Sequence, residues 1–268
     1  MKAKKEEKIP WFNVILLFLI LCILISGIKI LKEIRKPPIP PEIKIKKPEY
    51  FISIILDDWG WNTQRIKEIE EIKEPLTLSI LPFSPYSKEV IKYLEGRNYE
   101  FLLHLPLEPK PPSQCLDKGL IKVNMNEEEI IAQFHRDIED FYPYVKGINN
   151  HMGSLFTSNE EKMKILLNEI KKMNLFFVDS MTSKNSCGYY LAKKMGIKTA
   201  KRDVFLDNSS DPESIRKNLH KLVELAKKRG KAIGIGHAKK NTIMVLKEEI
   251  PNIKKEDIKL VHVSKLLE

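Results

Sequence analysis

The sequence predicts an α/β domain built on a parallel sheet, either a barrel or a doubly wound sheet, behind one membrane-spanning helix. Three observations carry this. Short apolar runs alternate with longer amphipathic ones from about residue 50 onward, with no run of strands alone. Those short runs are mostly apolar throughout, as expected of strands buried on both faces. One further run, near the N-terminus, is apolar on all sides. The chain of 268 residues has room for one sizeable domain and an appendage.

The appendage comes first. Residues 11–28 read WFNVILLFLILCILISGI, uncharged and about long enough to span a bilayer. Lys2, Lys4, Lys5 and Lys8 precede it. Positive charge stays inside, so residues 1–10 are expected in the cytoplasm and the rest outside it, periplasmic or extracellular. No A-x-A type cleavage site follows, and Leu21 before Cys22 fits a lipoprotein site poorly. An uncleaved single-pass anchor over 11–31 is therefore expected rather than a cleaved signal. Residues 32–48 contain RKPPIPPEIKIKKP, whose prolines favour an extended spacer. The domain proper then covers 49–268.

Strands are expected at 51–56 (FISIIL), 76–81, 100–103, 147–150, 175–179, 198–205, 231–236 and, short and last, 259–262. Helices are expected at 62–73, 86–96, 127–141, 159–173, 185–195 and 211–229. Asn126 caps the third of these, with acidic residues in its first turn. Ser158 is read as the cap of the fourth, with Glu161 completing a capping box. Asp211 and Pro212 open the last. No Walker or G-x-G-x-x-G motif follows a strand, which disfavours a nucleotide fold. The net charge of +10 is spread along the chain, with no basic block interleaved with aromatics. That excludes a nucleic-acid groove and suits an anionic envelope. Cys115 and Cys187 form no metal-ribbon spacing, and either two thiols or one disulfide fits them.

Ligands of α/β folds bind beyond the C-terminal strand ends. Those positions hold Asp57–Asp58, His104, Asn149–Asn150–His151, Asp179, Arg202 and His237. His135 and His220 fall within helices and His262 near the C-terminus, so they read as structural or surface groups. Each rim histidine alone is more simply a satisfied structural group, but three on one rim require a joint explanation. Asp with two His is a nitrogen and oxygen donor set that suits Zn²⁺ or another divalent ion. Two adjacent carboxylates can then divide ligand and base roles. Neighbours on an ideal strand face opposite ways, so this division needs a local twist at Asp57–Asp58. Glycoside hydrolysis by Asp57 with Asp179 is the weaker alternative, because it leaves the histidines unexplained.

The segments ISIILDDWGWN, LTLSILPFSP, LLHLPLEP, GINNHMGSLFT, LFFVDSMTS, RDVFLDN and AIGIGHAKKNT occur in one order across nearly the whole domain. Together they resemble the divergent polysaccharide deacetylase family. The resemblance implies a deformed seven-stranded (β/α) barrel and a divalent metal, zinc in the first place. It implies Asp57 as base, Asp58 and His104 as metal ligands, and His237 as general acid. Where the wider superfamily has a second His four residues on, this chain has Glu108. His151 is preferred as the third ligand, with Glu108 as the alternative, because Pro106 and Pro109 break any helical spacing there. Asn150, Asp179 and Arg202 are expected to support the ligands or bind substrate. The implied activity is removal of N-acetyl or similar acyl groups from an envelope polysaccharide or peptidoglycan. A non-catalytic glycan-binding or wall-associated barrel is the alternative that the altered motif suggests.

Overall fold

The computed structural model describes residues 10–34, 49–111 and 118–268. All but the start of the proline-rich spacer, and Cys115, fall outside the described residues. Helix α1 (Trp11–Ile34) forms one compact unit and the α/β domain another. No residue of α1 is buried, and it is long and apolar enough to cross a membrane.

The domain runs β1 (Tyr50–Trp59), α2 (Ile66–Ile69), β2 (Leu76–Ile80), α3 (Ser87–Leu94), β3 (Tyr99–Leu107) and α4 (Glu127–Ile138). It continues β4 (Val145–Met152), α5 (Glu160–Lys172), β5 (Phe176–Asp179), α6 (Gly188–Lys194), β6 (Thr199–Lys201) and β7 (Val204–Phe205). It ends α7 (Pro212–Arg229), β8 (Lys231–His237), α8 (Lys240–Ile253) and β9 (Ile258–Leu260). All strand pairs are parallel, in the order β6-β5-β4-β3-β2-β1-β8-β7, with β9 beside the start of β1.

The sheet's edges decide between the two parallel architectures. β6 and β7 lie at opposite ends of the strand order, yet two residues join them. The Arg202 amide donates to the Asp179 carbonyl on β5 at 3.0 Å. The next amide, that of Asp203, donates to the Ile233 carbonyl on β8 at 2.9 Å. A link this short spans roughly 10 Å at most, so the sheet must curl until its edges nearly meet. The architecture is a curled barrel, not an open doubly wound sheet. The single strand expected at 198–205 is kinked into β6 and β7. Counted as one, they leave seven barrel strands, with β9 as an addition.

Strand periodicity divides the apolar residues between two layers. Ile54, Leu56, Leu103, Leu105 and Phe177 face the helices in a large outer core. Ile55, Leu102, Val178, Ala200, Ile233 and Ile235 face inward and fill the barrel. The inward parity continues along each strand toward the C-terminal rim, and the inner core ends where the polar side chains begin.

Three helical expectations change. The pattern over 62–73 yields only the four residues of α2. Ser158 lies in a 3-10 turn, and Asn159 is the true cap of α5, its side chain accepting from the Lys162 amide at 3.0 Å. Helix α8, not expected at all, runs through Pro251 and buries Ile243, Leu246 and Ile250. At α4 the expected cap is present in full: Asn126 and Glu129 form a reciprocal capping box.

Candidate metal centre

The first strand does not stop before its acidic pair. β1 extends through it, and its register against β8 sets Asp57 opposite His237. Parity turns Asp57 inward after Ile55 and would turn Asp58 outward. Asp58 instead takes a left-handed backbone, φ 64°, where the register against β2 breaks. This bulge brings both carboxylates to the barrel mouth. On β3, parity places His104 inward after Leu102. On β4 it places Asn149 and His151 inward together.

Three donor atoms converge. Asp58 Oδ1 stands 3.2 Å from His104 Nε2 and 3.1 Å from His151 Nδ1, and the two nitrogens are 3.1 Å apart. His104 Nδ1 lies 2.8 Å from Asn149 Oδ1, an acceptor, so the proton belongs on Nδ1 and Nε2 presents a lone pair. Asp58 Oδ1 is buried and has no hydrogen-bond partner of normal geometry. A cation resolves both points. Nitrogen and oxygen ligands about 2.1 Å from one ion stand about 3.0–3.4 Å apart in octahedral to tetrahedral geometry. The donor set and its spacing fit a divalent metal. Burial works to raise the Asp58 pKa, but the two imidazoles outweigh it and hold the carboxyl well below the usual range.

Asp57 is nearly inaccessible, and its Oδ2 is 3.7 Å from His104 Nε2. Burial raises its pKa against the opposing influence of His104 and the Asn149 hydrogen bond. His237 faces the same centre from β8, with Nε2 3.7 Å from Asp58 Oδ2. Its Nδ1 contacts Asp207 Oδ1 at 2.8 Å, and Asp207 Oδ2 accepts from the His237 amide and from Thr242 Oγ1. Burial disfavours a charged His237. The hydrogen bond and charge of Asp207, with Asp58 and Asp57 beyond, prevail and raise its pKa. Asp57, Asp58, His104, His151 and His237 line one cleft of about 470 Å³.

The other expected residues fall into different places. Glu108 is absent from the cluster. Its carboxylate accepts from the Val123 amide at 2.7 Å. β3 is extended through Leu107, so Glu108 sits four strand residues, about 13 Å, beyond His104 and turns to the Val123 amide instead. Asp179 has the outward parity of Phe177. It accepts from the Met181 and Tyr189 amides and the Ser186 hydroxyl, so it ties down the loop before α6 and does not face Asp57. Asn150 receives the Ser180 amide and donates to the Met152 carbonyl, which joins the β4 and β5 ends. Arg202 lines the cleft and donates to the Ser180 and Met181 carbonyls, its guanidinium 4.5 Å from the Phe205 ring centre. His135, His220 and His262 are remote, on Glu169, Glu249 and the Asn98 carbonyl. Cys187 Sγ donates to the Thr157 carbonyl at 3.0 Å.

Two residues here were given no role by the sequence reading, although Asn149 was named among the strand-end positions. Asn149 is fully buried and joins the whole site: Nδ2 donates to Asp57 Oδ1 at 2.8 Å, while Oδ1 accepts from His104 and from Ser79. Its two-residue spacing from His151 was the available signal. Asp207 had no such signal, because its partner His237 is 30 residues on.

Comparison with known proteins gives the family and the fold. The family model described as divergent polysaccharide deacetylase matches residues 54–267. The uncharacterized protein YibQ of Escherichia coli K12 is 34% identical over 81% of this chain and 67% of its own. Among solved structures, an uncharacterized protein from Agrobacterium tumefaciens C58 superposes with a TM-score of 0.77 at 22% identity, covering 81% of this chain and 89% of that one. A CE4 family pseudoenzyme from Bacillus anthracis gives 0.52 at 12% identity, covering 82% and 66%.

Proposed function

The chain belongs to the divergent polysaccharide deacetylase family, and on that footing we propose that it is a metal-dependent hydrolase of the cell envelope, removing N-acetyl or similar acyl groups from a polysaccharide or peptidoglycan. The observation that carries this reading is the triangle of Asp58, His104 and His151 donor atoms with a second carboxylate, Asp57, beside it. Those three residues would hold the ion, zinc foremost. A divalent cation there supplies Lewis-acid polarisation of a carbonyl and lowers the pKa of water.

The chain's own groups supply the proton transfers. Asp57 takes the proton of the attacking water as it adds to the acyl carbon. Its raised pKa suits a base that must hold that proton. His237, whose protonated form Asp207 favours and orients, gives a proton from Nε2 to the departing amine nitrogen. Asn149 keeps Asp57 and His104 in register with each other. Helix α1 serves as an uncleaved anchor, with the N-terminus cytoplasmic and the domain on the envelope side.

The test pairs metal content with acetate release from chitin or peptidoglycan oligosaccharides. The wild type is expected to carry about one zinc per chain and to release acetate, and Asp58→Ala and His104→Ala to lose both. Full activity after metal removal, or activity retained in both variants, would overturn the proposal. A second reading, a glycan-binding barrel without turnover, draws on Glu108 in the altered motif and on the pseudoenzyme of similar fold. Capture on peptidoglycan with no acetate released would favour it.

A further inference from the structure

We propose that the cleft between the loops after β1 and β2 is a sugar subsite, holding the pyranose ring next to the reacting unit against Trp61 and Phe83. This rests on the polysaccharide reading above.

Within the described part of the α/β domain, the exposed large hydrophobics include one tryptophan and one phenylalanine, Trp61 at 53% and Phe83 at 45%. Both line the same cleft of about 270 Å³, with Pro82, Ser84, Pro85 and Lys118. Leaving two such rings in water forgoes their transfer free energy, so a shared site must be explained. Phe83 also has a left-handed backbone, φ 53°, a strained conformation for a bulky residue. Neither the exposure nor the strain helps the fold.

The frame beneath is rigid. The Leu81 amide donates to the Trp59 carbonyl and the Tyr86 amide to the Gly60 carbonyl, each at 2.9 Å. Ser87 Oγ donates to the Leu81 carbonyl at 2.6 Å. Gly60 has φ 120°, and a Cβ there would run into Ser87 Oγ, so the loops meet only because this residue is glycine. The Phe83 ring rests on Gly119, where a Cβ would lie 3.0 Å from it. The loop backbones that carry both rings, and the Phe83 ring itself, are held in place before any ligand arrives.

The location points to the same ligand as the metal centre. Trp61 follows Asp58 by three residues, so at most about 10 Å of backbone separates them. β2 lies between β1 and β3, which carry Asp57, Asp58 and His104. Its own rim end brings no titratable group, and the loop beyond it brings Phe83. A pyranose offers a flat C–H face and a hydroxyl edge. Aromatic faces match the first, and Ser84 and Lys118 can donate to the second. The cleft holds about one ring, far less than the contact of a stable protein partner.

The experiment is calorimetric titration of the zinc-loaded, full-length chain in a zwitterionic detergent without sugar headgroups. The probes are N-acetylglucosamine and its β-1,4 oligomers through the pentamer. Wild-type affinity is expected to rise with length. Trp61→Ala and Phe83→Ala are each expected to weaken the dimer and longer oligomers about tenfold and to leave the monosaccharide and zinc content unaffected. Phe83→Tyr, which keeps the ring, is expected to stay within about threefold. Wild-type binding of the longer oligomers by both alanine variants would overturn the subsite and leave the polysaccharide reading standing. A wild type that binds no oligomer overturns that reading and the subsite with it. Unchanged sugar titrations with loss of a cross-linked protein neighbour in both variants would assign the cleft to a protein contact and overturn the proposal.

Discussion

Asn149 serves the proposed base and a proposed ligand through one amide. Replacing it with leucine leaves Asp57 Oδ1 and His104 Nδ1 without their partner in a buried setting. The expected cost is about 2–3 kcal/mol in a denaturant titration, with zinc affinity about tenfold or more weaker. A second residue gives a pH signature outside the candidate metal centre. Asp137 on α4 is fully buried, and its Oδ2 has no partner. Burial, against the Gln133 hydrogen bond and the Arg136 charge, raises its pKa from 3.8 to about 8. The folded state then holds a proton that the unfolded state has released, so stability falls as pH rises from about 4 to about 8. The slope is at most about 1.4 kcal/mol per pH unit. Asp137→Asn keeps the site neutral at every pH and should flatten that slope, read from urea midpoints at pH 5 and pH 8. The side chains of the site were legible where a strand end named them: Asp57, Asp58, His104, His151 and His237. Their supports were not. Asp207 meets His237 only through the fold; the local twist that the divided pair required was foreseen, but not its form, the left-handed backbone of Asp58.

At the scale of elements, local signals succeeded where the chain satisfies itself locally. The capping box at α4 uses residues three apart, and the sequence holds both. The start of α5 shows the limit, since Ser158 and Asn159 are both good caps and the 3-10 turn before the helix selects the second. Asn159→Ala should cost about 1 kcal/mol in thermal or urea unfolding, and Ser158→Ala distinctly less. Segment 62–73 looked helical by period, but the Tyr99 hydroxyl from β3 donates to the Ile69 carbonyl at 2.7 Å and the Ile72 carbonyl at 3.1 Å. Carbonyls served from another element need no further helical turn. At α8 the reverse holds. Pro251 argues against a helix, and the buried stripe of Ile243, Leu246 and Ile250 overrides it.

At the scale of the molecule, alternating strands and helices announced a parallel sheet but left barrel and open sheet undecided. Closure depends on the two residues between β6 and β7, whose consecutive amides bond to opposite sides of the gap. The proposed anchor is tested on the whole chain. Protein recovered from membranes should keep its N-terminal segment and an intact mass of 31.2 kDa, read by mass spectrometry, whereas a cleaved signal would shorten it. The sheet order also bears on how the chain comes to be made. Of the described strands, β1 leaves the ribosome first and waits for β8 and β9, the last. Until then FISIIL keeps an open edge, the kind of surface that recruits other chains. Nascent chains halted before residue 231 already hold Asp57, Asp58, His104 and His151, yet they should sediment on centrifugation, while completed chains solubilised in detergent stay in solution.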